Sequence, residues 1–358
     1  MTASTPAGQS LPASSADPAA PPSPNRTGAR SGRSASSASS AANAGSASRA
    51  GPSRPARRQA RRRRYLPPLL LISPSIILIG IFVYWLIISS VRMSMTDNHT
   101  MAQVMGAEES KFVGLDNYIE LLTSPDFLHS LRNLGMYTVV FLLGTLFFGF
   151  LWAWILEKRA KFEGLFRSVL LFPMAVSSVA AGVVWRWLLS PNQGKNSSGL
   201  NRLFEMIGAT GLENNWWQNP TWGILAIAIP AIWQLSGYVM ALFLAGFRGI
   251  PNELREAARV DGANEWQLYR HVIFPQLTPV ALSAVIIIGH MSLKVFDLIM
   301  TVAGKNAYQT VVPSINVYTY ISDKLDYANA AAVGIILLLA VAVLIVPYLV
   351  HTAREDKL

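Results

Sequence analysis

The chain has 358 residues, 51% apolar and 14% charged, with mean hydropathy +0.33; a soluble domain carries about 25% charged residues, so this much apolar side chain calls for lipid as its solvent. The absence of cysteine excludes a disulfide scaffold, a thiol nucleophile and a Cys-ligated metal. The net charge of +10 is concentrated in Arg49, Arg54, Arg57, Arg58, Arg61, Arg62, Arg63 and Arg64, ahead of the first apolar stretch, so it describes a tail and makes no case for nucleic acid.

Residues 1–64 are rich in Ser, Ala, Pro, Gly and Arg, cannot bury enough surface to offset chain entropy, and are expected to form a disordered basic cytoplasmic tail. With Asp17 as the one acid before Ala60, the segment also has the makeup of a transit peptide. The tail reading is preferred because its last arginines would meet anionic headgroups and hold the first helix start inside. Six stretches then reach the roughly 20 residues that cross a bilayer core: 66–88, 133–156, 166–189, 222–247, 279–302 and 328–350. Residues 65–131 hold the first span and an external loop, 132–350 the main transmembrane domain, and 351–358 a short cytoplasmic tail. Lys158, Arg159, Lys161 and Arg167 follow the second span, and Arg248, Arg255, Arg259 and Arg270 the fourth, which places those loops and both termini inside. Trp185, Trp187, Trp216, Trp217 and Trp222 gather at the opposite ends of spans three and four, where amphipathic rings prefer to sit. The expectation is an all-α, multi-pass protein of a bacterial cell membrane, with a loop at 92–131 that is partly helical and no sheet of any size.

The loop at 250–275 reads as helix, turn, helix. Pro251 suits a first helical position, Glu253 and Glu256 lie early and Arg259 late in the dipole, and Gly262 supplies the positive φ that ends the helix. Asn264 with Gln267 resembles a capping box for a second helix, and Pro275 is expected to close the segment. Glu256-Ala257-Ala258, three residues, Gly262, nine residues, Val272, one residue and Phe274-Pro275 resemble the EAA loop of ABC importer permeases, with Val272 and Phe274 as conservative departures. The flanking segments 232–238, 296–299 and 112–118 are similar to the maltose-type permeases of carbohydrate uptake, and the likeness runs from about Pro67 to Val350. Where that family often follows its Phe-Asp segment with a Thr-Gly-Gly-Pro-like turn, this chain has residues 301–306, Thr-Val-Ala-Gly-Lys-Asn.

The resemblance implies an ABC type I importer permease, a six-transmembrane-helix bundle whose cytoplasmic coupling (EAA) loop, with Glu256, Ala257, Ala258, Arg259, Asp261, Gly262 and Pro275, seats in an ATPase. It implies four kinds of partner: a second, homologous permease subunit, a cytoplasmic ABC ATPase dimer that holds ATP and Mg, an extracytoplasmic sugar-binding protein, and membrane lipid. On its own terms the sequence carries no Gly-x-x-x-x-Gly-Lys-Ser/Thr; Gly194-Lys195 and Gly304-Lys305 lack both the upstream glycine and the following hydroxyl. No cofactor is therefore expected in this chain and no enzyme activity.

Ionisable groups at membrane depth are costly and mark transport paths by default. Read as one helix, span five puts His290, Lys294, Asp297 and Thr301 on a single face, with Lys294 and Asp297 close enough to pair; such a pair can also serve packing alone. Span four offers Gln234 and Tyr238 on one face beside Pro230, an amide and a ring suited to a neutral sugar and equally suited to helix association. Span three carries Pro173, Ser177 and Ser178, and Arg186 near its outer end reads as a snorkelling residue. A proton-coupled secondary transporter using His290, Lys294 and Asp297 is the alternative, although no internal repeat is visible, and an intramembrane enzyme lacks a ligand or nucleophile constellation. The translocated substrate is expected to be a neutral mono- or disaccharide, because only Lys294 and Arg186 could meet a phosphate.

Overall fold

A computed structural model describes residues 71–158 and 162–355. The basic tail at 1–64, the start of the first predicted span, and Arg159 and Lys161 of the second-span loop lie outside the described residues; beyond Val350 the backbone helix runs to Glu355, without described side chains.

Among the described residues five helices are long and apolar enough to cross a membrane. They are α1 (Leu71–Ser94), α4 (Pro125–Glu157), α8 (Gly223–Gly249), α10 (Glu265–Leu293) and α13 (Tyr327–Glu355, crossing with Tyr327–Tyr348). A sixth apolar segment is broken into α5 (Glu163–Ala175) and α6 (Ser178–Leu188), bent by 95°. Short helices fill the connections: α2 (Met101–Val104) and α3 (Asp116–Thr123) between α1 and α4, and α7 (Gly199–Met206) before α8. Three more follow α8: α9 (Asn252–Val260), α11 (Asp297–Val302) and α12 (Pro313–Thr319). Among the described residues the only bridge is the isolated pair Thr96 and Phe112.

The pair α4 and α8 forms the centre. Without a hydrophobic drive between helices in lipid, close association needs small residues. Here a Cβ on Gly149 would lie 2.5 Å from Val239 Cγ1, and one on Gly144 2.4 Å from Ile232 Cδ1. Tyr137 and Phe141 of α4 and Ile224, Ile227, Val239, Met240 and Phe247 of α8 are all buried in the core that results. Helix α10 lies against both, and α13 against α10 and α1.

Three expectations for the spans are corrected. The third span is no single helix: α5 runs through Pro173 and stops at Ala175, and Val176 (φ −79°, ψ 134°) and Ser177 (ψ 135°) are extended. The fifth span is shifted towards the N-terminus. Pro275 does not close the second loop helix, because a π-helical turn at Tyr269–Ile273 widens the ladder just before it, and the helix runs on unbroken to Leu293. The chain then breaks at Lys294–Phe296 and α11 begins at Asp297. The second span starts at Pro125 and not at Asn133, since Pro125 takes the first helical position, where its missing N–H costs nothing.

The segment between α1 and α4 is tied to α1 by the very residues that looked family-like. Asn117 Nδ2 donates to the carbonyls of Ser94 and Thr96, both at 2.9 Å, and the Tyr118 hydroxyl meets Ser94 Oγ at 2.6 Å.

Candidate functional site: a coupling loop and a cavity at two helix breaks

The loop begins where α8 ends. Pro251 is the N-cap of α9 rather than its first helical residue, a difference of one position. Gly262 (φ +81°) turns the chain, a conformation that costs most side chains about 1–2 kcal/mol. Asn264 and Gln267 then form the reciprocal capping box that opens α10, with Gln267 N to Asn264 Oδ1 and Asn264 N to Gln267 Oε1 both at 2.9 Å. Arg259 closes the turn by an ion pair to Glu265 at 3.1 Å. Glu256, Ala257, Asp261, Gly262 and Pro275 are exposed and Ala258 is half-buried. The tip is not simply polar: Val260 is 87% exposed and Trp266 68%, and Leu254 of α9 is exposed as well.

In the bundle, both breaks open on one cavity of about 560 Å³. Its walls include Tyr137 and Phe141 of α4, Val176, Ser177 and Ser178 from the first break, Gln234 of α8, and Lys294, Phe296 and Asp297 from the second. Irregular backbone at membrane depth must find internal partners. Gln234 supplies them at the first break: its Nε2 donates to the Val176 carbonyl at 2.8 Å, and its Oε1 lies 3.5 Å from Ser178 Oγ. At the second, Ser314 Oγ donates to the Val295 carbonyl.

The six residues proposed for a path therefore separate. Gln234, Lys294 and Asp297 line the cavity; Tyr238 packs against the core, and His290 and Thr301 are not among the walls. The single polar face of span five does not exist, because Lys294 caps the end of α10 while Asp297 and Thr301 belong to α11. Thr301 donates to the Asp297 carbonyl at 2.7 Å and fills the space beside Gly182 of α6. Arg186 reaches the Thr301 carbonyl at 3.4 Å. Lys294 and Asp297 form no ion pair; both are exposed, each at the helix end whose dipole favours its charge. Sequence reasoning missed Tyr137, Phe141 and Phe296 as cavity walls, since an aromatic on an apolar helix carries no mark of which side it faces. Among the described residues no group of three His, Asp or Glu is placed to hold a metal ion.

Residues 145–354 match the family described as binding-protein-dependent transport system inner membrane component. A probable ABC transporter permease protein of Pyrococcus horikoshii is 38% identical over 299 residues, covering 83% of this chain and 99% of the relative. The xylose/arabinose import permease of Haloferax volcanii is 29% identical, covering 71% of this chain and 79% of its own length. In fold, the chain is similar to a subunit of a bacterial ABC transporter involved in the import of the acidic polysaccharide alginate, with TM-score 0.66, 23% identity, and coverage of 84% and 99%.

Proposed function

The chain belongs to the inner membrane components of binding-protein-dependent transport systems, and on that premise we propose that it passes a neutral mono- or disaccharide inward, powered by ATP hydrolysis on a separate subunit. As a permease it is a multi-pass membrane protein and a transport subunit, without an ATPase site of its own. In the proposed assembly it pairs with a second, similar permease, receives sugar from an extracytoplasmic binding protein, and seats α9 and the tip around Gly262 in a cytoplasmic ATPase that holds ATP and Mg. Both termini then lie on the ATPase side.

The observation that carries the coupling role is the capped helix-turn-helix with Val260 and Trp266 bare at its tip. A carbohydrate is supported by the sugar named for the Haloferax volcanii relative and by the cavity chemistry. Aromatic rings suit the apolar face of a sugar, while one cation and one anion, unpaired, suit its hydroxyls better than a phosphate. A proton-coupled carrier is not favoured, because its supposed relay of His290, Lys294 and Asp297 is divided between two helices and His290 stands off the cavity.

The test is uptake of labelled sugar into proteoliposomes holding this subunit with its co-purifying proteins, comparing the native chain with Gly262→Pro. Proline fixes φ near about −65° and cannot form the turn at Gly262. The native complex is expected to accumulate sugar only with ATP, and the variant to assemble without transporting. Uptake that follows a proton gradient without ATP would show the ABC reading to be wrong.

A further inference from the structure

Helix α9 touches the rest of the protein mainly through the start of α10, the helix it precedes. A lever attached at one hinge would swing without moving the spans. Among the described residues, Arg255 is the one α9 side chain hydrogen-bonded to α4 or α8. Its Nη1 meets Glu157 Oε1 at the end of α4, and its Nη2 donates to the Phe247 carbonyl near the end of α8 at 3.0 Å. Tyr269, at the start of α10, donates its hydroxyl to the other oxygen of Glu157 at 3.4 Å. One guanidinium and one carboxylate thus gather α9 and the ends of three spans. Both side chains are largely buried, 15% and 14% exposed, whereas the Arg248–Glu163 and Arg259–Glu265 pairs nearby are far more open.

Burial makes this arrangement a poor device for stability alone. Desolvation of an ion pair offsets most of its attraction, so an apolar pair of similar volume would hold the helices as well. What the guanidinium adds is direction: a planar fork fixes its two acceptors at set angles, which apolar contact does not. The Nε of Arg255 is buried without a partner, a donor left for a second arrangement, and a cavity of about 720 Å³ lined by Arg255 and Glu157 lies beside it. Coupling needs an element with two discrete arrangements that both sites bias.

We propose that Arg255, Glu157 and Tyr269 form the transmission joint of this subunit, passing displacement of α9 to the inner ends of α4, α8 and α10 together. Arg255 and Glu157 are positioning residues and touch no substrate. The proposal rests on the ATP-driven reading above.

The test is the number of sugar molecules moved per ATP hydrolysed in the complete reconstituted complex. The Glu157→Met, Arg255→Met double variant removes both charges and orphans neither, so it is expected to fold and retain the ATPase. Its ATP hydrolysis should persist while sugar moved per ATP falls about tenfold, the size of a typical coupling term. Arg255→Lys, which keeps the charge but loses the fork, should fall between. A double variant with the native ratio overturns the joint, as does one that no longer binds the ATPase, since that would make the cluster a docking element. Failure of the native complex to use ATP at all would instead strike the underlying reading.

Discussion

The central pair of helices and the two broken spans solve the same problem, burial of backbone in lipid, in opposite ways. Helices α4 and α8 each run as one continuous helix, α8 even through Pro230, and approach through Gly144 and Gly149, so their interface is apolar and close. The α5–α6 and α10–α11 breaks leave carbonyls open, which Gln234 and Ser314 then occupy. The first solution gives a rigid spine. The second gives a largely apolar cavity with a few polar groups in its wall, because backbone that departs from the helix brings the helix ends at Lys294 and Asp297 to its rim.

The two regions also meet, and the sharpest way to break the contrast is there. A Cβ on Gly237 of α8 would lie 1.9 Å from the Leu170 carbonyl oxygen of α5, and backbone cannot step aside as a side chain can. Gly237→Leu is expected to cost about 3 kcal/mol, read as a fall in the thermal midpoint of the solubilised protein, whereas Gly135→Ala in α4, with open space around it, should stay within about 1 kcal/mol. Next in size is Gln234→Leu, which strands the Val176 carbonyl for about 1–3 kcal/mol and should speed amide exchange around Val176–Ser178 without touching α4. The smallest stability effect belongs to Lys294→Met and Asp297→Asn. Neither side chain is paired, so stability should hold within about 0.5 kcal/mol. Loss of a charged hydrogen bond to sugar would nonetheless raise the transport KM about tenfold. Unchanged uptake in both variants would remove the cavity from the path.

Those expectations mark how far the sequence could be read. Periodicity and length found the apolar segments, and local chemistry found the loop: Asn264, Gln267 and Gly262 act on neighbours within a turn, so their roles are visible in the string. The interruptions were not visible. Leu293 to Thr301 reads as helical as anything before it, and only packing of Phe296 and Leu298 against other elements decides that the chain stops and restarts. Pro173 was a signal for the other break, but a proline kinks some helices and severs others, and what Gln234 offered across 58 residues selected the severed form. The Arg255–Glu157 contact, 98 residues apart, had no local mark at all.

The first and last spans carry a consequence for how the protein is made. Helix α1 has none of its apolar window buried, and its neighbour within the bundle is α13. The chain seals this seam outside the bundle as well, through Ala328 N to Asn98 O at 3.0 Å and His99 Nδ1 to Asp326 at 2.8 Å. In chain order α1 precedes α13 by more than two hundred residues, so during synthesis α1 meets the segment at Asn117 and Tyr118 early and its helix neighbour much later. A ribosome that stalls before Tyr327 leaves a product in which α1 keeps the Asn117 and Tyr118 contacts and lacks the helix it packs against.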